Sequence, residues 1–150
     1  MSRYFTLAVF LVIVVGGGSL IGLVTLPGEW YASLDKPFFN PPSWVFGPVW
    51  TILYILIAIA GWRTWQRDRS GTAMKVWWAQ LVLNFLWSPM FFSLHQIGLA
   101  LVVLILMLAT ILTFIALSLD RDRLAALLFV PYALWVSFAG LLNGAIFWLN

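Results

Sequence analysis

The amino-acid sequence reads as an all-α membrane protein, a bundle of five transmembrane helices in a single domain over residues 1–150. Three observations carry that expectation. The chain is 63% hydrophobic and only 9% charged, with a mean hydropathy of +1.01, whereas soluble domains are about 25% charged. The thirteen charges fall in clusters, leaving uncharged runs of 25, 26, 44 and 27 residues at Tyr4–Gly28, Pro37–Trp62, Val76–Leu119 and Leu124–Asn150. A hydrocarbon core of about 30 Å takes about 20 helical residues, so three runs are single crossings and the 44-residue run is two.

The first helix is expected over about residues 4–26. Its apolar run is longer than a signal-peptide core and lacks a clear cleavage site, so it reads as a retained span. Gly18 and Gly22 form a small-xxx-small pair suited to packing or dimerisation. A loop, residues 27–42, follows; it carries Trp30, Tyr31, Phe38 and Phe39 and is long and aromatic enough to act as a lid. The second helix, about 43–65, is entered through KPFFNPPSWVFGPVWTILY at 36–54. Pro41 and Pro42 mark the approach, Ser43 is the expected N-cap, and Pro48 lies near the start of the span. This stiff entrance can wall a pocket for a flat apolar ligand.

The third helix, about 73–94, places Trp77, Gln80, Asn84, Trp87 and Phe91 on one side, at steps of three and four. Gln80 and Asn84 lie at mid-span, where polar groups face a bundle interior or a cavity; inter-helix hydrogen bonding and cavity lining both fit. The only break in the 44-residue run is His95-Gln96-Ile97-Gly98, which starts the fourth helix, about 97–119. His95, the sole histidine, reads as a polar turn residue rather than a haem ligand. The fifth helix, about 124–149, carries Trp135, Ala139, Leu142 and Asn143 on one face, with Gly140 and Gly144 thinning it for a ligand or for another helix.

Seven of the eight basic residues fall on the face shared by the N-terminus and the 63–75 and 120–123 loops, and only Lys36 lies opposite. The positive-inside rule then makes the N-terminus cytoplasmic. A helical bundle points to a bacterial inner membrane, while the span count alone leaves the outer membrane open. Basic residues serving topology leave no nucleic-acid patch. Cysteine is absent, and the sequence holds no carboxylate pair, phosphate loop, nucleophilic triad or metal cluster, so neither a conventional enzyme nor an ion-coupled transporter has a visible carrier. Of the ten tryptophans, Trp62, Trp65, Trp77, Trp78 and Trp148 are expected in the interfacial belt. Trp30, Trp44, Trp50, Trp87 and Trp135 are the ligand candidates, with Tyr54, Asn84 and Asn143 as polar handles for an otherwise apolar pocket.

The segments KPFFNPPSWVFGPVWTILY (36–54), WAQLVLNFLWSPMFF (78–92) and PYALWVSFAGLLN (131–143) resemble the TspO/MBR family, the tryptophan-rich sensory proteins and translocator proteins. The resemblance implies five membrane helices and a homodimer. It implies binding of porphyrins (protoporphyrin or haem, as ligand rather than required cofactor), sterols and other lipids, and isoquinoline carboxamide or benzodiazepine drugs, in the regulation or transport of tetrapyrroles. It places the pocket at Phe46, Trp50, Tyr54, Asn84, Trp135, Ala139, Leu142 and Asn143, under a lid containing Trp30. A second function it brings is light-dependent porphyrin degradation, for which Trp50 and Trp135 are the catalytic candidates. Animal members carry tyrosine and then arginine after the LN pair; here Gly144 follows and no basic residue does, so the resemblance stops short of that sterol pattern.

Overall fold

The computed structural model describes residues 2–150. The described residues form six helices and no strand. They are α1 (Arg3–Val24), α2 (Glu29–Ser33), α3 (Ser43–Asp68), α4 (Thr72–Ser88), α5 (Ile97–Ser118) and α6 (Arg123–Leu149). Four of them, α1, α3, α5 and α6, are long and apolar enough to cross a membrane. α4 has 17 residues and passes directly into a five-residue π turn, Pro89–Ser93. Proline brings no amide hydrogen, and the wider turn begins where that bond is missing.

The helices pack as a ring. α1 lies against α3, α3 against the start of α6, α6 against α5, α5 against α4, and α4 back against the second half of α1. α3 packs closely on α6 through Arg123–Leu128 and parts from the rest of it. The two helices therefore diverge away from the basic end of the bundle. The core includes Phe10, Val14, Ile57, Trp77, Met107, Ile111, Phe114 and Phe129, while Val12, Leu20, Leu23, Ile52, Val82 and Leu134 point outward. An apolar outer surface of this kind suits lipid.

Several local expectations are corrected. Ser43 does not cap a helix. It opens a 3-10 turn, Ser43–Val45, held by the Val45 amide on the Pro42 carbonyl at 3.0 Å. Two consecutive prolines fix the approach, and a tight turn satisfies the amide that a serine oxygen would have taken. Pro48 then falls in the first α turn from Phe46, where no amide partner is needed. Trp77 is not a belt residue. It is fully buried, and its indole N–H donates to the Ile57 carbonyl at 3.0 Å. It enters because Gly61 has no side chain to stop it; a Cβ there would fall inside the indole. Gly18 likewise receives the Tyr54 ring, so it packs within the chain, whereas Gly22 faces open space.

At the basic end, the Trp62 N–H donates to the Arg3 carbonyl at 2.8 Å, tying α3 to α1. Arg63 meets Asp122 with Nε at 3.0 Å and Nη2 at 3.1 Å, and Asp122 also accepts from the Ala125 amide at the start of α6. Burial alone would raise the Asp122 carboxyl. The Arg63 hydrogen bonds, the Ala125 amide and the fields of Arg63 and Arg67 outweigh it and hold the group below its ordinary value of 3.8. A depressed carboxyl contributes stability above its unfolded pKa and loses it as pH falls through the folded one. The melting temperature of Asp122→Asn should lie below wild type at pH 7, and the gap should shrink as the pH drops below about 4. A gap that stays constant to pH 3 would show that the pair contributes nothing.

Candidate functional site

The end of the bundle opposite the basic cluster is closed by the lid. α2 stands over the π turn of α4, with Trp30 edge-on to Phe91 at 5.9 Å and Tyr31 against Phe91 and Phe92 at 6.0 and 5.3 Å. Trp30 also stacks flat on His95 at 4.0 Å and 10°. His95 turns the chain between α4 and α5 at φ 57°, the one described non-glycine residue in the left-handed region, so it is the turn residue the sequence implies. Lys36 Nζ donates to the Tyr31 and Leu34 carbonyls at 2.8 and 3.1 Å and sits over the Tyr31 ring. Burial raises the Tyr31 phenol, offset in part by a hydrogen bond with Asn40. Asp35 and Asn150 exchange two hydrogen bonds, amide to Oδ1 at 3.1 Å and Nδ2 to carbonyl at 2.9 Å, which fasten the loop to the end of α6.

Below the lid the sequence-derived residues fall into three groups. Trp87 and Asn143 meet each other: the indole N–H donates to Asn143 Oδ1 at 3.1 Å, and Asn143 Nδ2 donates to the Ile97 carbonyl at 3.1 Å. Leu142 is buried with Phe91, Ala100 and Ile146, against which Trp30 and Phe46 pack. Phe46, one turn before Trp50 on α3, reaches across to Trp135 of α6 at 5.8 Å, edge to face. Trp50 lies beside Tyr54 at 5.4 Å, and Ala139 of α6 packs against the core. Trp44 stays apart. Its ring is 75% exposed, because the 3-10 turn aims it away from Phe46. Phe38 is likewise fully exposed.

The polar stripe on α4 is spent on helix packing. Asn84 Nδ2 donates to the Tyr132 hydroxyl at 2.7 Å, and that hydroxyl donates to Gln80 Oε1 at 2.7 Å. The Tyr54 hydroxyl reaches Asn84 Oδ1 at 3.3 Å. Gln80 and Asn84 thus carry inter-helix hydrogen bonds. Tyr132, the hub, escapes sequence reasoning: a tyrosine one residue after Pro131 at the start of a span looks like an interfacial aromatic. One buried indole nitrogen is left over. Trp135 Nε1 is buried and has no hydrogen-bond partner. Cavities of about 610 Å³ and 360 Å³ open at the basic end, lined respectively by Phe10, Trp65 and Trp78 and by Trp62, Arg63 and Arg121 among others.

The family model described as TspO/MBR family matches residues 8–149. The chain belongs to the TspO/MBR family. It is 39% identical to a tryptophan-rich sensory protein of Cereibacter sphaeroides over 128 residues, covering 85% of this chain and 81% of that protein. It is 43% identical to the tryptophan-rich protein TspO of Archaeoglobus fulgidus over 124 residues, 81% and 80% of the two chains. The translocator protein of Homo sapiens is 34% identical over 134 residues, 84% and 79%. Every candidate site residue lies inside the matched range. Membership accounts for the tryptophan-rich membrane helices and fits a hydrophobic, tetrapyrrole- or sterol-related role in a membrane.

Proposed function

We propose that this TspO/MBR protein binds a porphyrin in the wedge where α3 and α6 diverge, beneath the α2 lid, and so takes part in regulating or moving tetrapyrroles. The observation that carries the reading is the buried, unpartnered N–H of Trp135, whose ring meets the half-buried Phe46 ring, with half-buried Trp50 one turn further along α3. A buried donor without a partner is costly in an apolar setting, and a ligand acceptor would relieve it. Ring faces from two diverging helices suit a flat macrocycle, whose affinity comes mainly from buried ring area plus stacking of about 0.5–1.5 kcal/mol per aromatic pair. Sterols and aromatic amide drugs share the required apolar body.

In this reading α4 and its π turn, 22 residues from Thr72 to Ser93, form a fifth crossing. With five crossings, seven of the eight basic residues lie on the cytoplasmic side of a bacterial inner membrane, and the lid faces outward. Two copies pair as a homodimer through lipid-facing surface.

Quenching of tryptophan fluorescence by protoporphyrin, titrated into the detergent-solubilised protein, tests the site. Trp135→Phe, which keeps a ring and loses the donor, and Ala139→Thr, which fills space, should each weaken the dissociation constant by about tenfold, equivalent to about 1.4 kcal/mol. Trp148→Phe, at an 87% exposed position, should leave it unchanged. Unaltered affinity in both pocket variants would remove the site from this wedge. Light-dependent degradation requires the macrocycle to lie against Trp50 and Trp135, so the same titration tests its first step.

A further inference from the structure

The 610 Å³ cavity at the basic end belongs to none of the groups above. Its volume is within the range that holds a drug-sized ligand. Phe5, Val9 and Ile13 form one wall, spaced a turn apart along α1; Trp65 and Trp78 form the other, and Phe10 is the floor. Phe10 sits edge-on to Trp65 at 5.9 Å and tilted against Trp78 at 5.9 Å, so the aromatic side is rigid. The mouth carries Arg3, Gln66 and Arg69. Among the described residues the one ion pair is Arg63–Asp122, so neither Arg3 nor Arg69 has a carboxylate partner. Their guanidinium groups lie over aromatic rings instead, Arg3 over Trp62 at 5.8 Å and Arg69 over Trp65 at 5.2 Å, which orients them without neutralising them. At this end of the bundle the sequence gathers seven basic residues against three acidic ones, Asp68, Asp120 and Asp122. Asp68 is engaged with Ser70 and Asp122 with Arg63.

From Arg3 to Ile13 the groove descends about 15 Å along the helix, the hydrocarbon depth of one leaflet. An aromatic-lined apolar groove of that depth, with Phe5, Val9 and Ile13 exposed on the outer surface of the bundle and two uncommitted guanidinium groups at its top, is complementary in shape and charge to an anionic phospholipid. We infer that it is a binding site for one anionic phospholipid of the leaflet at the basic end, its phosphate held between Arg3 and Arg69 and an acyl chain laid along Phe5, Val9 and Ile13. Arginine suits a phosphate because its planar fork can donate two hydrogen bonds to it.

Native mass spectrometry of the intact protein, titrated in detergent with phosphatidylglycerol or phosphatidylcholine of matched chains, tests this. Wild type should retain one phosphatidylglycerol with at least tenfold preference over phosphatidylcholine. Arg3→Ala/Arg69→Ala should lose that preference, whereas Lys75→Ala/Arg123→Ala, which removes the same charge outside the cavity, should keep it. Ile13→Trp, which fills the groove and leaves every charge in place, should reduce retention at least tenfold and covers the case in which the double-arginine variant fails to fold. Protoporphyrin affinity should be unchanged in all of these, which separates this site from the lid-end wedge. Equal retention of the two lipids, equal losses in the two double variants, full retention by Ile13→Trp, or equal protection from thermal unfolding by inorganic phosphate alone would each overturn the assignment. So would finding the groove covered by a second copy of the chain, seen as a dimer that excludes the lipid.

Discussion

Replacing Gly61 with alanine should lower the melting temperature of the solubilised protein by about 6–12 °C, from about 3 kcal/mol of overpacking at roughly 2–4 °C per kcal/mol. A methyl at that position would lie within the Trp77 indole, against Cε2 and Cζ2 and 2.7 Å from Nε1. Neither partner can yield easily. The indole is fully buried, edge-on to Phe10 at 5.3 Å and Trp78 at 4.7 Å, and its N–H holds the Ile57 carbonyl one turn before Gly61. Pushing the ring aside would break that hydrogen bond and the seam between α3 and α4 together. Gly22→Ala, where the new methyl meets nothing within 4 Å, is the control and should melt no lower than wild type, since alanine is the better helix former. Trp77→Phe should restore part of the loss in the Gly61→Ala background, since a smaller ring leaves room for the methyl. Differential scanning fluorimetry decides the matter: a Gly61→Ala protein that melts with wild type would mean the two helices are not in this contact.

Tyr132→Phe should cost almost as much, by a different route. Removing the hydroxyl strands Asn84 Nδ2 and Gln80 Oε1 in the core, and each buried unsatisfied polar atom costs about 1–3 kcal/mol. Gln80 already carries an unpartnered Nε2, so the phenylalanine variant would leave that side chain with no hydrogen bond at all. Gln80→Met in the Tyr132→Phe background should therefore recover part of the stability, because an apolar side chain of similar size removes the stranded group. Tyr54→Phe should cost much less, since its bond to Asn84 is 3.3 Å long and the ring is only partly buried. Equal melting temperatures for Tyr132→Phe and Tyr54→Phe would show that the network is not centred where the distances place it.

These two contacts also mark where sequence reasoning succeeds and where it stops. The inward face of α4 was legible because Gln80 and Asn84 interrupt an apolar run at helical spacing, and a polar group in lipid is too costly to face outward. What they bond to was not legible, since the hub comes from a helix fifty residues away. Position along a span gives Trp77 a depth near the interface and says nothing of its direction; the signal for its burial is Gly61, whose bare backbone admits an indole. The lid was legible as an aromatic loop. The outward turn of Trp44 was not, because a single 3-10 turn at the helix entrance changes the bearing of the next side chain. The groove at the basic end went unread because its walls, Phe5, Val9 and Ile13, look in sequence like any lipid-facing row.

The amides of Asn84 and Asn143 are each occupied by a neighbouring side chain, Tyr132 and Trp87. In the proposed wedge a guest would therefore meet few groups able to interrogate its substituents. Discrimination among molecules would rest on outline and thickness, so tetrapyrroles that differ only in their peripheral groups should compete for it on nearly equal terms, while one puckered out of plane should be turned away.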